Sequence, residues 1–272
     1  MANDIEAHYA SAGIAARILA ALPPGEPVTP DTLAPFDHFH GRGPAGTADL
    51  LEALDPQPGE RVLDIGAGIG GPARWIAARS LCHVTGIELT REFCEAARAL
   101  NEATGLTGNV TILHGNALAM PVPDAAFDRA YSHNVIMNIA DKRGFHAEAF
   151  RVLKPGGLLV LFQGGTGPKG DPYYPAPWAT SAATSFLSTP DDMRAHVEAA
   201  GFEILAFRDR TAEGLPGQQK IIDTLQAKGL PPKGWHVFMG AERSLEFMIN
   251  TARSHLDGRT CSVEIVARKP GG

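Results

Sequence analysis

A glycine-rich segment, 62-VLDIGAGIGGPARWIA-77, limits most strongly what this chain can fold into. An apolar strand carries Asp64 near its end, a burst of glycines follows, and Pro72 suits the first turn of a helix, where its missing N–H costs nothing. Glycines permit a tight turn between a strand and a helix, and they let a ligand lie against bare backbone. The spacing fits both G-x-G-x-x-G and D-x-G-x-G-x-G. The segment therefore predicts a site for a nucleotide-like ligand.

Strand-like and helix-like segments alternate from this point, which predicts an α/β fold with a mostly parallel sheet covered on both faces. The predicted strands are 61–66, 83–89, 110–115, 127–134, 158–164, 202–210 and 260–269. Residues 1–58 are expected to form an N-terminal helical lid, with a Pro-rich connection before residue 36. Residues 59–272 are expected to form the ligand-binding domain, with a helical insertion at about 215–256.

Composition narrows the class of protein. The 272 residues carry a net charge of -6 and contain no Lys/Arg-rich run, so we expect no nucleic-acid or anionic-lipid partner. The first 22 residues lack the long apolar core of a signal peptide or membrane span, which favours a cytoplasmic protein. The three cysteines have no C-x-x-C spacing, and we expect no metal site.

Two acidic residues bear on the identity of the ligand. Glu88 ends the second strand, at the distance where an acid accepts the hydroxyls of an adenosine ribose. Nicotinamide cofactors and S-adenosylmethionine both carry that ribose, so Glu88 does not separate them. Asp64 beside the glycine turn would repel a pyrophosphate, whereas it suits the sulfonium and ammonium groups of S-adenosylmethionine. A nicotinamide-dependent oxidoreductase stays open as an alternative.

Four segments together resemble the class I S-adenosylmethionine-dependent methyltransferases. They are 62–77, 86-GIEL-89, 115-GNALAMPVPDAAFDRAYS-132 and 151-RVLKPGG-157. The resemblance implies a Rossmann-like, doubly wound, seven-stranded sheet whose last strand is antiparallel, lying between the fifth and sixth. It implies S-adenosylmethionine as cofactor and S-adenosylhomocysteine as product. The cofactor contacts that we assign from it and from the lid are Asp64, Gly66, Ala67, Gly68, Gly70, Glu88, Leu89, Asn116, Ala117, His133, His40 and Arg42.

A narrower resemblance is to bacterial small-molecule methyltransferases, including the sarcosine/dimethylglycine and tocopherol types. It rests on 69-IGGPAR-74 and 132-SHNVIMNIADK-142, with 39-FHGRG-43 resembling their lid over the cofactor. It favours nitrogen as the methyl acceptor, and oxygen, carbon and sulfur stay open. A relative that binds S-adenosylmethionine without transferring methyl is a further alternative, because fold alone does not fix function.

The catalytic candidates follow the fourth and fifth strands. His133 lies at the carboxyl end of the fourth strand, where ligands of parallel sheets gather, and histidine titrates near neutral pH. It is either a base or a hydrogen-bond partner of loop backbone or of the cofactor carboxylate. Asn134 and Asn138 are predicted to orient the acceptor, and Gln163, which closes the fifth strand, is predicted to face it. The predicted substrate contacts are Asn138, Tyr173, Tyr174 and Trp178, whose rings suit either a methylammonium group or a hydrophobic acceptor. The insertion, with 235-WHVFM-239, forms either the opposite wall or a homodimer contact.

Overall fold

The computed structural model describes residues 8–9 and 12–271 of the chain. Residues 1–7, 10, 11 and 272 lie outside the described residues, and with them the first part of the predicted lid and the predicted helical position Ile5. The boundary between residues 58 and 59 stays a prediction.

A seven-stranded sheet organises the molecule. Its strands are β1 (Arg61–Ile65), β2 (His83–Glu88), β3 (Val110–His114), β4 (Phe127–His133), β5 (Leu153–Thr166), β6 (Glu203–Asp209) and β7 (Thr260–Arg268). Their order across the sheet is β3-β2-β1-β4-β5-β7-β6. β7 pairs antiparallel with both β5 and β6, and the other strand pairs are parallel. The predicted fold and the place of the antiparallel strand are therefore confirmed.

The fifth strand begins earlier than the sequence predicts. The segment 154-KPGG-157 was expected to be a turn before a strand at residue 158. In the structure, Leu153 already pairs with Phe127, and the register between β4 and β5 shifts between Phe127 and Arg129. The shift takes up the extra residues on β5, so the segment forms an irregular start of the strand rather than a free turn.

Four helices cover the sheet between its strands: α4 (Gly71–Ser80), α5 (Arg91–Ala103), α6 (Lys142–Val152) and α7 (Pro190–Ala199). Two clusters of buried apolar side chains lie around the sheet. One includes Leu63, Phe145 and Ile265, and the other includes Val62, Ile76 and Val160. Since Val62 and Leu63 are consecutive residues of β1, their side chains point to opposite faces, and both faces are buried.

The described part of the predicted lid, which we continue to call the lid, contains α1 (Ile14–Ala20), α2 (Pro30–Asp37) and α3 (Gly43–Leu54). The expectation of a Pro-rich connection before residue 36 was wrong for α2. Thr29 and Thr32 form a reciprocal capping box, and Pro30 occupies the first turn, so this stretch carries strong helix-start signals. Pro35 lies inside the same helix.

The predicted insertion contains α9 (Gln218–Lys228), α10 (His236–Met239) and α11 (Ala241–Leu256), preceded by a short helix, α8 (Thr211–Gly214). Phe238 and Met239 of α10 share one buried cluster with Ile14, Ile18 and Phe36 of the lid. This packing brings the insertion and the lid together over the sheet, and the homodimer contact stays a prediction. None of the described helices is long and apolar enough to cross a membrane.

Candidate functional site

A cavity of about 550 Å³ opens at the carboxyl edge of the parallel strands. Ligands of open α/β sheets bind at this edge, and the volume is within the roughly 300–1,000 Å³ typical of small-molecule sites. The predicted site residues that line it are Asp64, Gly66, Ala67, Gly68, Glu88, Leu89, Asn116, Ala117, His133, Asn134, Asn138, Gln163, Trp178, His40 and Arg42. The predicted residues Gly70, Tyr173 and Tyr174 are not among its lining residues.

The glycine turn after β1 leaves room for a ligand at one position and none at another. Gly66 has φ of 87°, and a Cβ there would clash with the side chain of Val135. Gly68 has φ of 55°, and a Cβ there would meet nothing within 4 Å. The backbone is therefore bare and open toward the cavity at Gly68. Gly70, with φ of 78°, begins α4 as its N-cap instead of lining the cavity.

A buried ion pair between Arg74 and Asp37 stabilises the glycine turn. Arg74, on α4, donates to Asp37 Oδ2 of the lid at 2.8 Å and to the carbonyl oxygen of Ile69 at 2.7 Å. Both charged side chains are almost wholly buried. The pair therefore ties the lid to the glycine turn, and breaking it would leave an uncompensated buried charge. Sequence reasoning missed this pair, because no motif links positions 37 and 74.

Glu88 closes the cavity at the end of β2. Its Oε2 accepts from Gly68 N–H at 2.8 Å, and its Oε1 accepts from Thr90 N–H at 2.7 Å. Burial raises the pKa of this carboxyl, although these N–H groups lower it. The Thr90 hydroxyl and the Leu89 N–H also act on this carboxylate, and its oxygens line the cavity as acceptors for hydroxyl groups of a ligand. The arrangement fits a ribose diol held beside the glycine turn.

Asp64 lies deeper in the same half of the cavity. The Tyr131 hydroxyl donates to its Oδ2 at 2.8 Å. Burial raises the pKa of Asp64 to about 7, with the Tyr131 hydrogen bond opposing the rise and the charge of Glu88 adding to it. Two acids that face one cavity with little positive charge near them suit a cationic ligand group. We call Asp64, Glu88 and the glycine turn between residues 66 and 70 the glycine-turn half.

The predicted adenine contacts are only partly free for a ligand. Asn116 Oδ1 accepts from Leu118 N–H at 2.9 Å, which shapes the turn after β3. An amide oxygen has two lone pairs, so one is used by this hydrogen bond and the other can accept from a ligand. Ala117 and Leu89 line the cavity as apolar surface beside it.

Arg42 is engaged by acidic side chains. It contacts Asp49 of α3 and lies 3.1 Å from Glu213 of α8. Arg210 joins the same cluster, 3.0 Å from Asp49 and 3.1 Å from Glu213. The cluster links the lid to the start of the insertion at the rim of the cavity. A carboxylate of a ligand would have to compete with these acids for Arg42.

Three histidines meet where the lid approaches β4. The rings of His40 and His133 are stacked, with centroids 3.6 Å apart. Thr47 of α3 bonds through Oγ1 to His40 Nε2 at 3.1 Å and to His38 Nδ1 at 2.9 Å. Burial lowers the pKa of His40 to about 3 and that of His38 to about 4, and it lowers the pKa of His133 well below its usual range. Within the described residues, no group of three His, Cys, Asp or Glu side chains could hold a metal ion.

Asn134 and Gln163 bond to backbone around the cavity. Asn134, with φ of 55°, accepts through Oδ1 from Gly164 N–H at 2.9 Å. Gln163 donates to the Ser132 carbonyl at 3.1 Å and accepts from Ile136 N–H at 3.3 Å. These bonds fix the ends of β4 and β5 against each other. That Asn134 orients an acceptor and that Gln163 faces it stay predictions.

The predicted aromatic contacts separate in the structure. Trp178 lines the cavity and donates through Nε1 to Ser185 Oγ at 2.9 Å. Tyr173 instead lies at the surface, where its hydroxyl donates to Asp257 at 2.8 Å and its ring packs under Arg259. Tyr174 precedes a cis peptide bond to Pro175. Of the three rings, the structure brings only Trp178 to the cavity.

Another part of the cavity is lined by residues that follow position 176 in the chain, and we call these the helical half. Its apolar surface includes Trp178, Leu187, Ile221, Met248, Ala252 and Val263. None of the described cavity-lining residues after position 176 is Asp or Glu. Sequence reasoning missed the contribution of α11, although Met248, Thr251, Ala252 and His255 follow the i, i+3, i+4, i+7 spacing of one helix face.

Comparisons with known proteins agree with this geometry. A family described as a methyltransferase domain matches residues 63–161, which run from β1 into β5. The O-methyltransferase rstn1 of Aspergillus nomiae is 32% identical over 178 residues, covering 62% of this chain and 76% of the relative. This chain belongs to the S-adenosylmethionine-dependent methyltransferases. The predicted family and its cofactor are thereby confirmed, and the glycine turn with Glu88 is accounted for without a nicotinamide cofactor.

Two further comparisons differ in what they cover. The 24-methylenesterol C-methyltransferase 2 of Oryza sativa is 45% identical over 116 residues, which are 43% of this chain and 31% of that protein. The chain thus matches about a third of the length of that sterol methyltransferase. A solved geranyl diphosphate methyltransferase, in complex with GPP and sinefungin, superposes with a TM-score of 0.71 at 21% identity and covers 98% of both chains. At that identity the likeness concerns the fold.

Proposed function

We propose that this protein transfers the methyl group of S-adenosylmethionine to a small, largely apolar acceptor, at oxygen or carbon. The observation that carries the proposal is the contrast between the two halves of the cavity. The acids that line the cavity, Asp37, Asp64, Glu88 and Asp141, all precede position 176. The helical half combines apolar side chains with the polar residues Arg210, Gln218, Thr251, His255, Thr260 and Ser262, and its described lining residues include no acid. A cationic acceptor in the helical half would lose its hydration without gaining a counter-ion, which is costly.

The glycine-turn half suits the cofactor. Glu88 would accept the ribose hydroxyls, the bare backbone at Gly68 would let the methionine portion approach, and Asp64 would attract its positive charge. When bound, the cofactor supplies an electrophilic methyl group on a sulfonium. The work left to the protein is to align the acceptor in a dry cavity, which contributes roughly 7–11 kcal/mol in favourable cases.

The helical half suits an apolar acceptor. Ile221 of α9 and Met248 of α11 present apolar surface to the cavity. Burying apolar surface contributes about 25 cal/mol per Å², so a hydrocarbon skeleton gains affinity here without specific polar contacts. The names of the relatives, an O-methyltransferase and a sterol C-methyltransferase, support the same acceptor atoms.

A nitrogen acceptor is the second candidate, and one observation favours it. Trp178 and Trp235 both line the cavity, and aromatic faces attract an ammonium group. A neutral amine with an apolar skeleton would satisfy both the aromatic and the apolar surface.

The test is product identification with S-adenosylmethionine that carries a deuterated methyl group. The purified protein is incubated with alcohols, phenols, alkenes and amines on matched carbon skeletons, and products are identified by mass spectrometry. We expect the label on oxygen or carbon of apolar acceptors. Label on polar, charged amines in preference to all others would contradict the proposal, and turnover of none of the four classes would count against methyl transfer itself.

A further inference from the structure

The histidine cluster beside β4 fixes where protons lie. His40 Nδ1 is 3.1 Å from the Gly41 carbonyl oxygen, which can only accept, so Nδ1 carries the proton of neutral His40. His40 Nε2 must then accept from the Thr47 hydroxyl. Because that hydroxyl has one proton, Thr47 accepts in turn from His38 Nδ1–H. Both lid histidines are thus held in defined neutral tautomers.

The surroundings of His133, which stacks on His40, also decide which of its ring nitrogens carries the proton. Its Nδ1 is buried and has no hydrogen-bond partner among the described residues. Since His133 lines the cavity and Nδ1 is enclosed by protein, Nε2 is the nitrogen that a ligand can reach. A proton on Nδ1 would be a buried donor without an acceptor, and orphaned N–H groups of this kind are rarer than unsatisfied acceptors. The proton of neutral His133 therefore belongs on Nε2, which faces the cavity.

The surroundings also oppose a second proton on His133. On the lid side, His40 and His38 are neutral near pH 7 and supply no counter-ion, and the positive charge of Arg42 disfavours the imidazolium. On the β5 side its neighbour is the Phe162 ring, with centroids 5.5 Å apart. Burial is the largest cause that lowers the pKa of His133.

We propose that His133 acts as a neutral hydrogen-bond donor, through Nε2–H, to an oxygen atom of the acceptor, and not as a general base. This inference rests on the proposed methyl transfer to an oxygen-bearing acceptor. The acceptor oxygen forms a bond to the methyl carbon, the carbon–sulfur bond breaks with its electron pair going to sulfur, and the hydroxyl proton passes to solvent water. A base at Nε2 would need its proton on Nδ1, where no acceptor is available. His133 Nε2–H donates to one lone pair of the acceptor oxygen, while another lone pair of that oxygen faces the methyl carbon.

The first test reads the tautomer without activity. Protein labelled with nitrogen-15 is studied by long-range proton–nitrogen correlation of the imidazole rings, and the His133 signals are assigned by their loss in His133→Gln. We expect the Nε2–H tautomer, unchanged between about pH 6 and pH 8, the range in which an unperturbed histidine titrates. An Nδ1–H tautomer, or a titration within this range, would overturn the inference.

The second test uses two variants at one position. Gln keeps an N–H donor but is no base, and Phe keeps an apolar ring but donates nothing. If His133 is a donor, we expect His133→Gln to lower kcat/KM by about tenfold and His133→Phe to lower it by about a hundredfold or more. If His133 were a general base, both variants would lose the base, which contributes about 10²–10⁴-fold, and they would be equally inactive. Equal losses would overturn the donor role. Loss of S-adenosylhomocysteine binding in His133→Phe would instead assign the donor to the cofactor, against the inference. If no acceptor is ever methylated, the proposed function fails while the tautomer result still stands.

Discussion

The glycine-turn half and the helical half line one cavity, and they are built in different ways. The glycine-turn half comes from one short stretch around β1 and from the end of β2, and its polar groups are fixed by backbone hydrogen bonds such as Gly68 N–H to Glu88. The helical half is assembled from a loop, the helices α8, α9, α10 and α11, and the strand β7. The comparison teaches that the cofactor chemistry is local in the chain, whereas acceptor selection depends on distant packing.

The largest effect is expected from a substitution that changes only the glycine-turn half. Glu88→Ala removes the acceptor of ribose hydroxyls and should weaken S-adenosylhomocysteine binding about a hundredfold or more, because hydrogen bonds to charged groups contribute about 1.5–3 kcal/mol each. Glu88→Gln, which keeps one acceptor oxygen, is the matched control and should lose less. Calorimetric titration measures both. Unchanged binding in Glu88→Ala would show that the cofactor does not use this half.

A second prediction separates two glycines of the same turn. Gly66→Ala should destabilise the fold by about 2–6 kcal/mol, because a strained backbone costs about 1–3 kcal/mol and overpacking against Val135 adds about as much. Gly68→Ala meets no neighbour and should cost the strain alone, while its methyl group projects toward the ligand. Urea unfolding compares the two variants. Equal losses would mean that Val135 is not the obstacle, and Val135→Ala should partly rescue Gly66→Ala.

A third prediction tests whether the helical half binds the apolar acceptor. Ile221→Glu places an acid on α9 in the cavity and should raise KM for an apolar acceptor about tenfold, since burying part of an isoleucine side chain contributes about 1.4 kcal/mol or more. Binding of S-adenosylhomocysteine should not change. Leu215→Glu, equally exposed but outside the cavity lining, is the control. If both variants behave alike, α9 does not select the acceptor.

The smallest effect concerns pH. Burial raises the pKa of Asp64 to about 7, so its carboxyl is increasingly protonated as the pH falls below that value. Loss of this negative charge should weaken binding of cationic S-adenosylmethionine several-fold between pH 7 and about pH 6, following proton linkage. S-adenosylhomocysteine, which lacks the sulfonium charge, should respond less. In Asp64→Asn the affinity should be low and flat over this range, and an unchanged pH dependence in that variant would assign the titration to another group.

Much of the fold and of the glycine-turn half could be predicted from the sequence. The strands repeat as apolar runs, and Asp64, the glycines and Glu88 stand at spacings that physical reasoning recognises directly. Less local features could not be predicted. The placement of Tyr173 depends on its bond to Asp257, and the ion pair between Asp37 and Arg74 depends on how the lid packs.

The lid histidines illustrate the same limit. The segment 39-FHGRG-43 pointed to a lid over the cofactor, but its sequence does not say that His40 stacks on His133. Thr47, which sets the tautomers of the lid histidines, is seven residues further along and carries no motif. The Thr47 hydroxyl sets these tautomers only because the fold brings His40 Nε2 and His38 Nδ1 within hydrogen-bond distance of it.

The most direct test of the central contrast is a calorimetric comparison of two ligands on protein saturated with S-adenosylhomocysteine. The ligands are a long-chain primary alcohol and the primary amine with the same carbon skeleton, the latter charged at neutral pH. We predict that the alcohol binds and that the amine binds at least tenfold more weakly, because a buried ammonium in the helical half lacks a counter-ion. Tighter binding of the amine would contradict the account and would restore nitrogen as the favoured acceptor.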